Sequence, residues 1–368
     1  MRETIKDIKK YLPEGWEEKC KELKALSRGR QIKTPEELLE LNLLYLTLGG
    51  SFGTTASLIN MTTDKVMSKK AVYTRIQNSG DWLKWMSKEM CIENDMLIPK
   101  PDWLDKNVVL VDGSVLSVKG SQKGDYILHY AFNLFEFTSS FEITDMSKGE
   151  SLLNYQLSSD DIVIGDRGYV SIKGMEYAHS CGADFILRYR SKAFNLFDAD
   201  GNKIVLLDIL RDRNLKSLES ISIDCFYISK GKKKPVRIVA IRKTPEAEKK
   251  SERKLKRTSS KKQRKEPTKE TMEINKYIIL ATSLNSDDYT NEQISELYRA
   301  RWQIEQVFFR LKSLFDFGDI PSKKEETVKA WFFGKLFLAV LAETIFKVEA
   351  FSPEEKIIRP FDIIQPVE

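Results

Sequence analysis

The sequence predicts a mixed α/β fold that follows an all-helical N-terminal region and is interrupted by a β-rich segment. Helical patterns with capping signals fill the first hundred residues, and apolar β runs alternating with helical patterns begin at Asn107. A stretch without Gly or Pro, Glu292 to Phe315, then predicts one long helix. We therefore divide the chain into four parts, residues 1–105, 106–191, 192–290 and 291–368.

Start and stop signals define the first predicted helix. Thr34 is an N-cap residue, Pro35 occupies the first helical position, and Glu37 completes a capping box before the apolar run Leu38 to Leu48. A pair of glycines then ends the helix.

Two shorter helices are predicted next, Thr54 to Met61 and Lys69 to Gln77, with Ser68 as the cap of the second. Two short helices joined by a turn are typical of a helix-turn-helix, whose second helix presents basic side chains to DNA. An ordinary helical bundle with a charged outer face explains the pattern equally well. The residues expected to contact DNA are Lys69, Lys70 and Arg75.

The second part of the chain alternates between strands and helices. The predicted elements are the strands Val108 to Ser114, Tyr126 to Phe132 and Ser139 to Ile143, a helix Glu150 to Leu157, a strand Asp161 to Asp166, a helix Ile172 to Cys181 and a strand Phe185 to Arg190. Two of these strands lead into a carboxylate, Asp112 and Asp166. Both side chains would meet at one edge of the sheet if the two strands are neighbours.

Residues 192–290 are predicted to be a β-rich insertion with a hairpin turn at Asp198 to Asn202. Its strands are predicted at Lys203 to Ile209, Ser220 to Ile228, Val236 to Ile241 and Lys276 to Thr282.

A basic tract, residues 249–269, lies in this insertion. It contains eleven Lys or Arg residues and two Glu, whereas the whole chain has 60 Lys and Arg against 54 Asp and Glu, so positive charge is concentrated here. We expect the tract to leave the insertion as a mobile excursion and to bind a polyanion such as DNA; a solvated charge run is the alternative. The residues expected to contact DNA are Lys254, Lys256, Arg257, Lys261, Lys262 and Arg264.

The scarcity of Cys and His excludes several classes of site. The four cysteines lie far apart, and His129 and His179 are the two histidines, so we expect neither a disulfide framework nor a zinc cluster, and both histidines to be structural. The first ten residues lack the apolar segment of a secretory signal, which favours a reducing cytoplasm. The apolar stretch Ala330 to Phe346 contains Lys335 and Glu343, so we expect a buried core helix and no membrane span.

Four polar residues of the long C-terminal helix share one side. At about 100° per residue, Tyr298, Arg301, Glu305 and Lys312 fall within an arc of about 60°, and apolar side chains flank this arc. Desolvation there would oppose the charge of Glu305 unless a cation lies beside it. Pairing with Arg301 on the same helix would satisfy that need, and a metal ion is the alternative.

Asp112, Asp166 and Glu305 together indicate a metal site. Carboxylates within a few Å of each other repel, and a divalent cation relieves the repulsion. Three carboxylates without His or Cys favour a hard ion, Mg²⁺ first and Mn²⁺ second. Two such ions can activate an attacking hydroxyl and stabilise the leaving oxygen of a phosphodiester. Glycosidases also use paired carboxylates, but a saccharide would not explain the basic tract.

Three motifs support a family resemblance: Asp112-Gly113-Ser114 on the first strand, Asp166-Arg167-Gly168-Tyr169 on a later strand, and Tyr298, Arg301, Glu305 and Lys312 with intervals of two, three and six residues. In these motifs the chain resembles the DDE transposases of bacterial insertion sequences that have the Tyr-Arg-Glu-Lys signature. Ser114 stands where many members have threonine, and it keeps the hydroxyl group.

The resemblance implies a ribonuclease H-like core with a β-rich insertion, metal binding by the three carboxylates, and phosphate contacts by Tyr298, Arg301, Lys312 and Arg167. It implies a protein that binds the ends of its own insertion sequence, cleaves double-stranded DNA there by Mg²⁺-dependent hydrolysis, and joins the freed 3′-hydroxyl to target DNA. It also implies that residues 1–105 bind DNA ends, and that two protomers assemble with two ends at the nucleoid, in a prokaryotic cytoplasm.

Two alternatives remain open at this level. A ribonuclease H-like nuclease that cuts without strand transfer would need the same acidic residues. A DNA-binding regulator with a vestigial acidic triad would retain them without activity.

Overall fold

The computed structural model describes residues 8–93, 100–116, 124, 126–136, 138–190, 193–261, 266–301 and 324–350. Its centre is one ten-stranded sheet with the order β3-β2-β1-β4-β5-β10-β9-β8-β6-β7. The strands are β1 Asn107–Leu116, β2 Tyr126–Asn133, β3 Thr138–Asp145, β4 Asp161–Gly165, β5 Asp184–Arg188, β6 Leu196–Phe197, β7 Lys203–Ile204, β8 Ser220–Ser229, β9 Lys232–Arg242 and β10 Tyr277–Thr282.

Eleven helices are described here. They are α1 Trp16–Glu22, α2 Pro35–Thr47, α3 Phe52–Thr62, α4 Lys69–Asn78, α5 Gly80–Glu93, α6 Ile172–Ser180, α7 Leu206–Arg213, α8 Pro245–Lys261, α9 Lys269–Ile274, α10 at residues 291–301 and α11 Glu325–Ala350. A short 3-10 helix, Leu152–Asn154, lies between β3 and β4.

The predicted helix starts in the N-terminal region are confirmed. Thr34 caps α2 by accepting a hydrogen bond from the amide of Glu37 at 3.3 Å, and Ser68 caps α4 by accepting one from Ala71 at 3.1 Å. Each cap satisfies one of the amide groups that the first turn of a helix leaves unpaired. The helix predicted at Thr54 to Met61 corresponds to α3.

The strands of the second part have the predicted order. Strands β1, β2 and β3 form an antiparallel meander, and β4 and β5 continue the sheet in parallel with β1. The helix predicted at Glu150 to Leu157 is wrong, because only the 3-10 turn forms there. Tertiary bonds hold Tyr155 in an extended conformation: its hydroxyl donates to the carbonyl of Asp112, and its carbonyl accepts from the Tyr177 hydroxyl.

The insertion follows its prediction at the hairpin turn but not at the strand predicted after it. The predicted hairpin turn at Asp198 to Asn202 is confirmed, with Gly201 at a φ of 94° that favours glycine. The strand predicted at Lys203 to Ile209 is short and gives way to α7, because buried leucines there recur at helical spacing.

The first part of the basic tract is helical. This part, residues 249–261, is the C-terminal three-quarters of α8, which Thr244 caps by accepting a hydrogen bond from the amide of Ala247 at 3.2 Å. An ion pair four residues apart, Glu252 with Lys256 at 2.7 Å, supports the helix.

The two faces of the sheet pack against different helices. Side chains alternate along a strand, so Val108 and Leu110 of β1 point to one face and Val109 and Val111 to the other. We call these the first face and the second face. Helix α10 packs on the first face, and α6 and α7 pack on the second.

Helix α11 belongs to the core of the N-terminal helices. Trp331 and Phe337 are buried there among residues of α2, α4 and α5. Strand β2 contributes Leu128 and Phe132 to the same core, so these helices cover the first face at β2. The buried helix predicted at Ala330 to Phe346 is therefore confirmed. Among the helices that the structure describes, none has the length and apolar character needed to cross a membrane.

Candidate active site

Asp112 and Asp166 lie on neighbouring strands at the same level. Strands β1 and β4 are parallel and paired through Leu110 and Ile164, and each aspartate lies two residues beyond that pair. Leu110 and Ile164 belong to the core of the first face, so strand alternation directs the side chain of Asp112 to this face, and Asp166 follows Ile164 at the same interval. The prediction that these two strands are neighbours is confirmed.

Hydrogen bonds orient Asp112 at both its side chain and its backbone. Tyr130, its direct partner on β2, donates from Oη to Oδ2 at 2.7 Å, and the amide of Gly113 donates to Oδ1 at 2.8 Å. The Tyr155 hydroxyl donates to the carbonyl oxygen of Asp112 at 3.0 Å and also lies 2.8 Å from the hydroxyl of Tyr169. Because Tyr155 has a single proton to donate, Tyr169 must be the donor of that second bond. Burial raises the pKa of both phenols, which keeps them protonated.

The turn after β4 positions Asp166. The amide of Gly168 donates to its Oδ1 at 2.7 Å, and the amide of Tyr169 donates to its carbonyl at 3.3 Å. The ring of Tyr169 is fully buried in the core of the second face, so it anchors this turn to the sheet.

A third carboxyl group, Glu150, lies beside these two aspartates, and sequence reasoning did not single it out. A Cβ placed on Gly168 would lie 2.9 Å from Cδ of Glu150 and 3.1 Å from Oδ1 of Asp166, and one placed on Gly113 would lie 3.2 Å from Cγ of Glu150. Glu150 is exposed as a residue, but partial desolvation of its carboxyl group, and then the charges of Asp166 and Asp112, raise its pKa. The two glycines next to the aspartates leave the space that this carboxyl group fills.

Helix α10 places Tyr298 and Arg301 on the first face. Leu297 and Tyr298 are buried against the sheet, and the guanidinium of Arg301 lies 5.4 Å from the centre of the Tyr298 ring. Among the described residues, no partner accepts or donates a hydrogen bond at the buried Oη of Tyr298. Glu305 and Lys312, the other two residues of the signature, lie outside the described residues.

Arg167 and Arg188 add positive charge next to Asp166. Arg188 ends β5, the parallel neighbour of β4. Desolvation and then the charge of Arg188 lower the pKa of Arg167, whereas Tyr298 and Asp166 act in the opposite direction. These groups therefore lie within electrostatic reach of one another, which connects α10 with the end of β4. Sequence reasoning named Arg167 but missed Arg188, although an arginine near the end of a predicted strand was a usable signal.

The donor set at this edge fits a hard cation. Asp112 and Asp166 offer carboxylate oxygens, the ligands that Mg²⁺ and Mn²⁺ prefer. Within the described part of the chain, no group of three His, Cys, Asp or Glu residues has the spacing to hold a metal ion. The third expected ligand, Glu305, lies outside that part.

The remaining predicted DNA contacts lie on α4 and α8. Lys69 and Lys70 are exposed on α4, whereas Arg75 is half-buried and donates to the carbonyl of Arg28.

On α8, Lys254, Lys256 and Arg257 are exposed, Lys261 is the last residue of the helix, and Lys262 and Arg264 lie outside the described residues. A cavity of about 160 Å³ is lined by Leu255 of α8 together with Arg167 and Arg190, so α8 passes close to the candidate site.

Both histidines are packed away from the aspartates. Nε2 of His129 lies 2.8 Å from Oγ1 of Thr144, and the ring of His179 packs edge-on against Phe185 with the ring centres 5.5 Å apart. Burial lowers the pKa of both imidazoles.

Comparison with known proteins identifies the family. The family described as "Transposase DDE domain" matches residues 103–341. The transposase for insertion sequence element IS421 of Escherichia coli is 29% identical over 347 residues, which are 91% of each chain. The transposase for IS1151 of Clostridium perfringens is 26% identical over 200 residues, 50% of this chain and 42% of the relative. The transposase for IS231E of Bacillus thuringiensis subsp. finitimus is 28% identical over 216 residues, 54% of this chain and 45% of the relative. Because the family match spans more than half of the chain and includes Asp112, Asp166 and α10, the chain belongs to the DDE-domain transposases of insertion sequences.

Proposed function

We propose that this transposase binds the ends of its own insertion sequence, cleaves the DNA there by Mg²⁺-dependent hydrolysis and joins the freed 3′-hydroxyl groups to target DNA. Strands β1 to β5 and α10 would form a ribonuclease H-like core. Their order, with an antiparallel β3-β2-β1 meander continued by parallel β4 and β5, supports that assignment. The N-terminal helices would bind the element ends.

One juxtaposition supports the proposal most. Asp112 and Asp166 lie side by side at the first face, and α10 packs on that face with Tyr298 and Arg301 close by. Glu305 follows Arg301 by four residues, and four residues span at most about 14 Å in any conformation. We infer that Glu305 supplies the third carboxylate at this edge of the sheet.

Asp112, Asp166 and Glu305 would hold the metal through their carboxylate oxygens. When bound, Mg²⁺ lowers the pKa of an attacking water and stabilises charge on the leaving oxygen of a phosphodiester. The part of the chain is to orient these ligands. Tyr130 and two backbone amides already fix oxygens of the aspartates, which reduces the reorganisation that binding requires.

Cationic and hydroxyl groups would bind DNA phosphates beside the carboxylates. Arg167 and Arg301 offer guanidinium forks that match phosphate oxygens, and the Tyr298 hydroxyl can donate one hydrogen bond. Family resemblance adds Lys312. The exposed cations of α4 and α8 would bind flanking DNA, and two protomers would assemble with two DNA ends.

The decisive experiment separates DNA binding from cleavage. Glu305→Gln and Asp112→Asn nearly preserve shape but remove the charge that a metal needs, so cleavage should fall by on the order of 10³-fold, the effect of losing several kcal/mol of metal-ion catalysis. Binding should stay within about twofold of wild type, because phosphate contacts are untouched. The measurements are nicking of a labelled duplex that carries the terminal inverted repeat, with Mg²⁺, and a gel-shift titration of the same duplex without metal.

Glu292→Gln is the matched control, since Glu292 is an exposed glutamate of α10, and it should nick at the wild-type rate. Arg301→Ala and Lys312→Ala should weaken both binding and cleavage. If Glu305→Gln nicks at the wild-type rate, the metal assignment fails and pairing of Glu305 with Arg301 becomes the better account. Cutting without joining to a target plasmid would indicate a nuclease, and binding without cutting would indicate a regulator.

A further inference from the structure

Lys243 is a buried cation at the junction between β9 and α8. The residue is only 8% exposed. Nζ donates to Oγ of Ser251 at 3.0 Å and to the carbonyl of Asn275 at 2.5 Å, which fixes the ammonium group between α8 and α9. Both partners are neutral, so these bonds position the charge without neutralising it.

Lys243 lies beside a cavity next to the candidate active site. Asn275, whose carbonyl accepts a hydrogen bond from Nζ of Lys243, lines the cavity of about 160 Å³ together with Arg167 and Arg190. On β5, Ile186 belongs to the core of the first face and Arg188 follows it by two residues, so strand alternation directs Arg188 to the face where Asp112 lies. Because Arg167 directly follows Asp166, the cavity and that face are neighbours.

Lys243, Arg188 and Arg167 form one cluster of positive charge. Desolvation, and then the charges of Arg188 and Arg167, lower the pKa of Lys243 to about 8. The charge of Arg188 also contributes to lowering the pKa of Arg167. The three cations therefore lie within electrostatic range of one another.

Among the described residues, the negative charges near this cluster do not balance it. Asp166 acts on Arg167, and Glu248 acts on Lys243 but is already ion-paired with Arg242 at 2.6 Å. Nε of Arg188 is buried and has no hydrogen-bond partner among the described residues. The buried Oη of Tyr298 also has no hydrogen-bond partner among the described residues, and Tyr298 is 7% exposed. Buried polar groups in native proteins are normally satisfied, and an anion can supply the acceptor that both of these groups lack.

We propose that Lys243, Arg188 and Arg167 form a phosphate-binding site for a DNA phosphodiester, placed on the insertion side of the carboxylates. The proposal rests on the proposed function, because it requires a DNA strand at this edge of the sheet. A polyanion fits the site better than a small free anion, since Arg167 is exposed and the row of exposed cations on α8 begins within ten residues of Lys243. A strand that contacts the cluster could continue along that helix.

The test is a binding titration of the labelled element-end duplex, without metal, at several salt concentrations. Each phosphate contact adds about 0.9 to the slope of log affinity against log salt. Lys243→Met should therefore reduce the slope by about 0.9 and weaken binding by on the order of tenfold, the worth of one charge-assisted contact. Lys173→Met, an exposed lysine of α6 on the second face, is the control and should match wild type.

A pH series gives a readout that a purely structural lysine would not move. With its pKa lowered to about 8, Lys243 loses its proton progressively between about pH 7 and pH 9 in the free protein, whereas a bound phosphate favours the charged form. The affinity of wild type should thus fall as pH rises from 7 to 9.5, because binding must restore that proton. Lys243→Arg stays charged and should bind tightly with less dependence on pH over the same range.

A second residue of the cluster, Arg188, can be replaced without changing the junction between β9 and α8. Arg188→Gln should reduce the salt slope by about 0.9, and it decides the matter if Lys243→Met does not fold. The inference is overturned if wild type binds the duplex but the cluster variants show the slope and the pH dependence of the control. If wild type does not bind the duplex at all, the proposed function fails, which is a different result.

Discussion

Individual glycines at the active-site edge show how much one side chain can decide. The space that a side chain would fill at Gly168 is taken by the carboxyl group of Glu150, which also approaches Gly113. Gly168 does not have a positive φ, so its backbone would accept alanine without strain. The reason for a glycine here is therefore close packing of a neighbouring carboxyl group.

Gly168→Ala should consequently lower the free energy of unfolding by about 1 kcal/mol, because the new methyl group displaces the Glu150 carboxyl group. The same substitution in a Glu150→Ala background should cost at least about 0.5 kcal/mol less, since the space is then free. Urea denaturation of the two single variants and the double variant, in metal-free buffer, measures this coupling.

Gly149→Ala serves as the matched control, because a Cβ at Gly149 would meet no atom within 4 Å. Its effect should be the same with or without Glu150. Additive costs for Gly168→Ala and Glu150→Ala would place the carboxyl group of Glu150 elsewhere in solution.

At the scale of single helices, local contacts determine where a helix begins. Helices α2 and α4 begin where Thr34 and Ser68 cap them, and these caps depend only on residues within one turn. Helix α8 has an apolar side and a charged side. Leu255 lines the cavity beside Arg167, while Lys254, Lys256 and Arg257 are exposed. Under the proposed function, this charged side would contact DNA next to the candidate active site.

Replacing Lys254, Lys256 and Arg257 with Gln should weaken binding of the element-end duplex and reduce the slope of log affinity against log salt by about 2. The reduction is less than three contacts would give because Lys256 already pairs with Glu252 at 2.7 Å. Gel-shift or anisotropy titrations between low and physiological salt measure the slope.

A control with equal charge change comes from the far end of the insertion, where Lys203, Lys230 and Lys232 are exposed. Their replacement with Gln should change the slope little. An equal reduction in both triple variants would return the basic tract to a solvated charge run that acts only through net charge.

At the scale of the whole molecule, the N-terminal helices and α11 share one core. Trp331 of α11 is 1% exposed and packs edge-on against Tyr45 of α2 with the ring centres 5.8 Å apart. Gly334 lies so close to Leu46 that a Cβ there would be 2.7 Å from its Cδ2. The N-terminal helices thus depend on a helix that follows the catalytic part of the sequence.

Trp331→Ala should therefore lower the free energy of unfolding by about 3–5 kcal/mol, the usual cost of deleting a buried tryptophan. Hydrogen exchange should accelerate first in α2 and α5, although these helices are far away in sequence. Leu210→Ala, in the core of the second face, should instead accelerate exchange around α7. Unchanged protection of α2 and α5 in Trp331→Ala would contradict the shared core.

The sequence by itself determined the features that depend on neighbouring residues. Caps at Thr34 and Ser68, the hairpin turn at Asp198 to Asn202, and the strands that lead to Asp112 and Asp166 follow from local propensity and from periodicity. The motif spacings likewise identified the family, because they list which residues a shared chemistry requires. These signals are local and do not depend on residues that are distant in the sequence.

Only the tertiary structure decided the features that depend on residues far apart in the chain. It held Tyr155 extended through hydrogen bonds to Asp112 and from Tyr177, placed Glu150 beside two aspartates, and brought Lys243 within electrostatic range of Arg188. It also assigned α11 to the N-terminal helices. The physical reason is that packing and electrostatics act through space, so their partners are set by strand order and by the face of the sheet, which a local pattern does not encode.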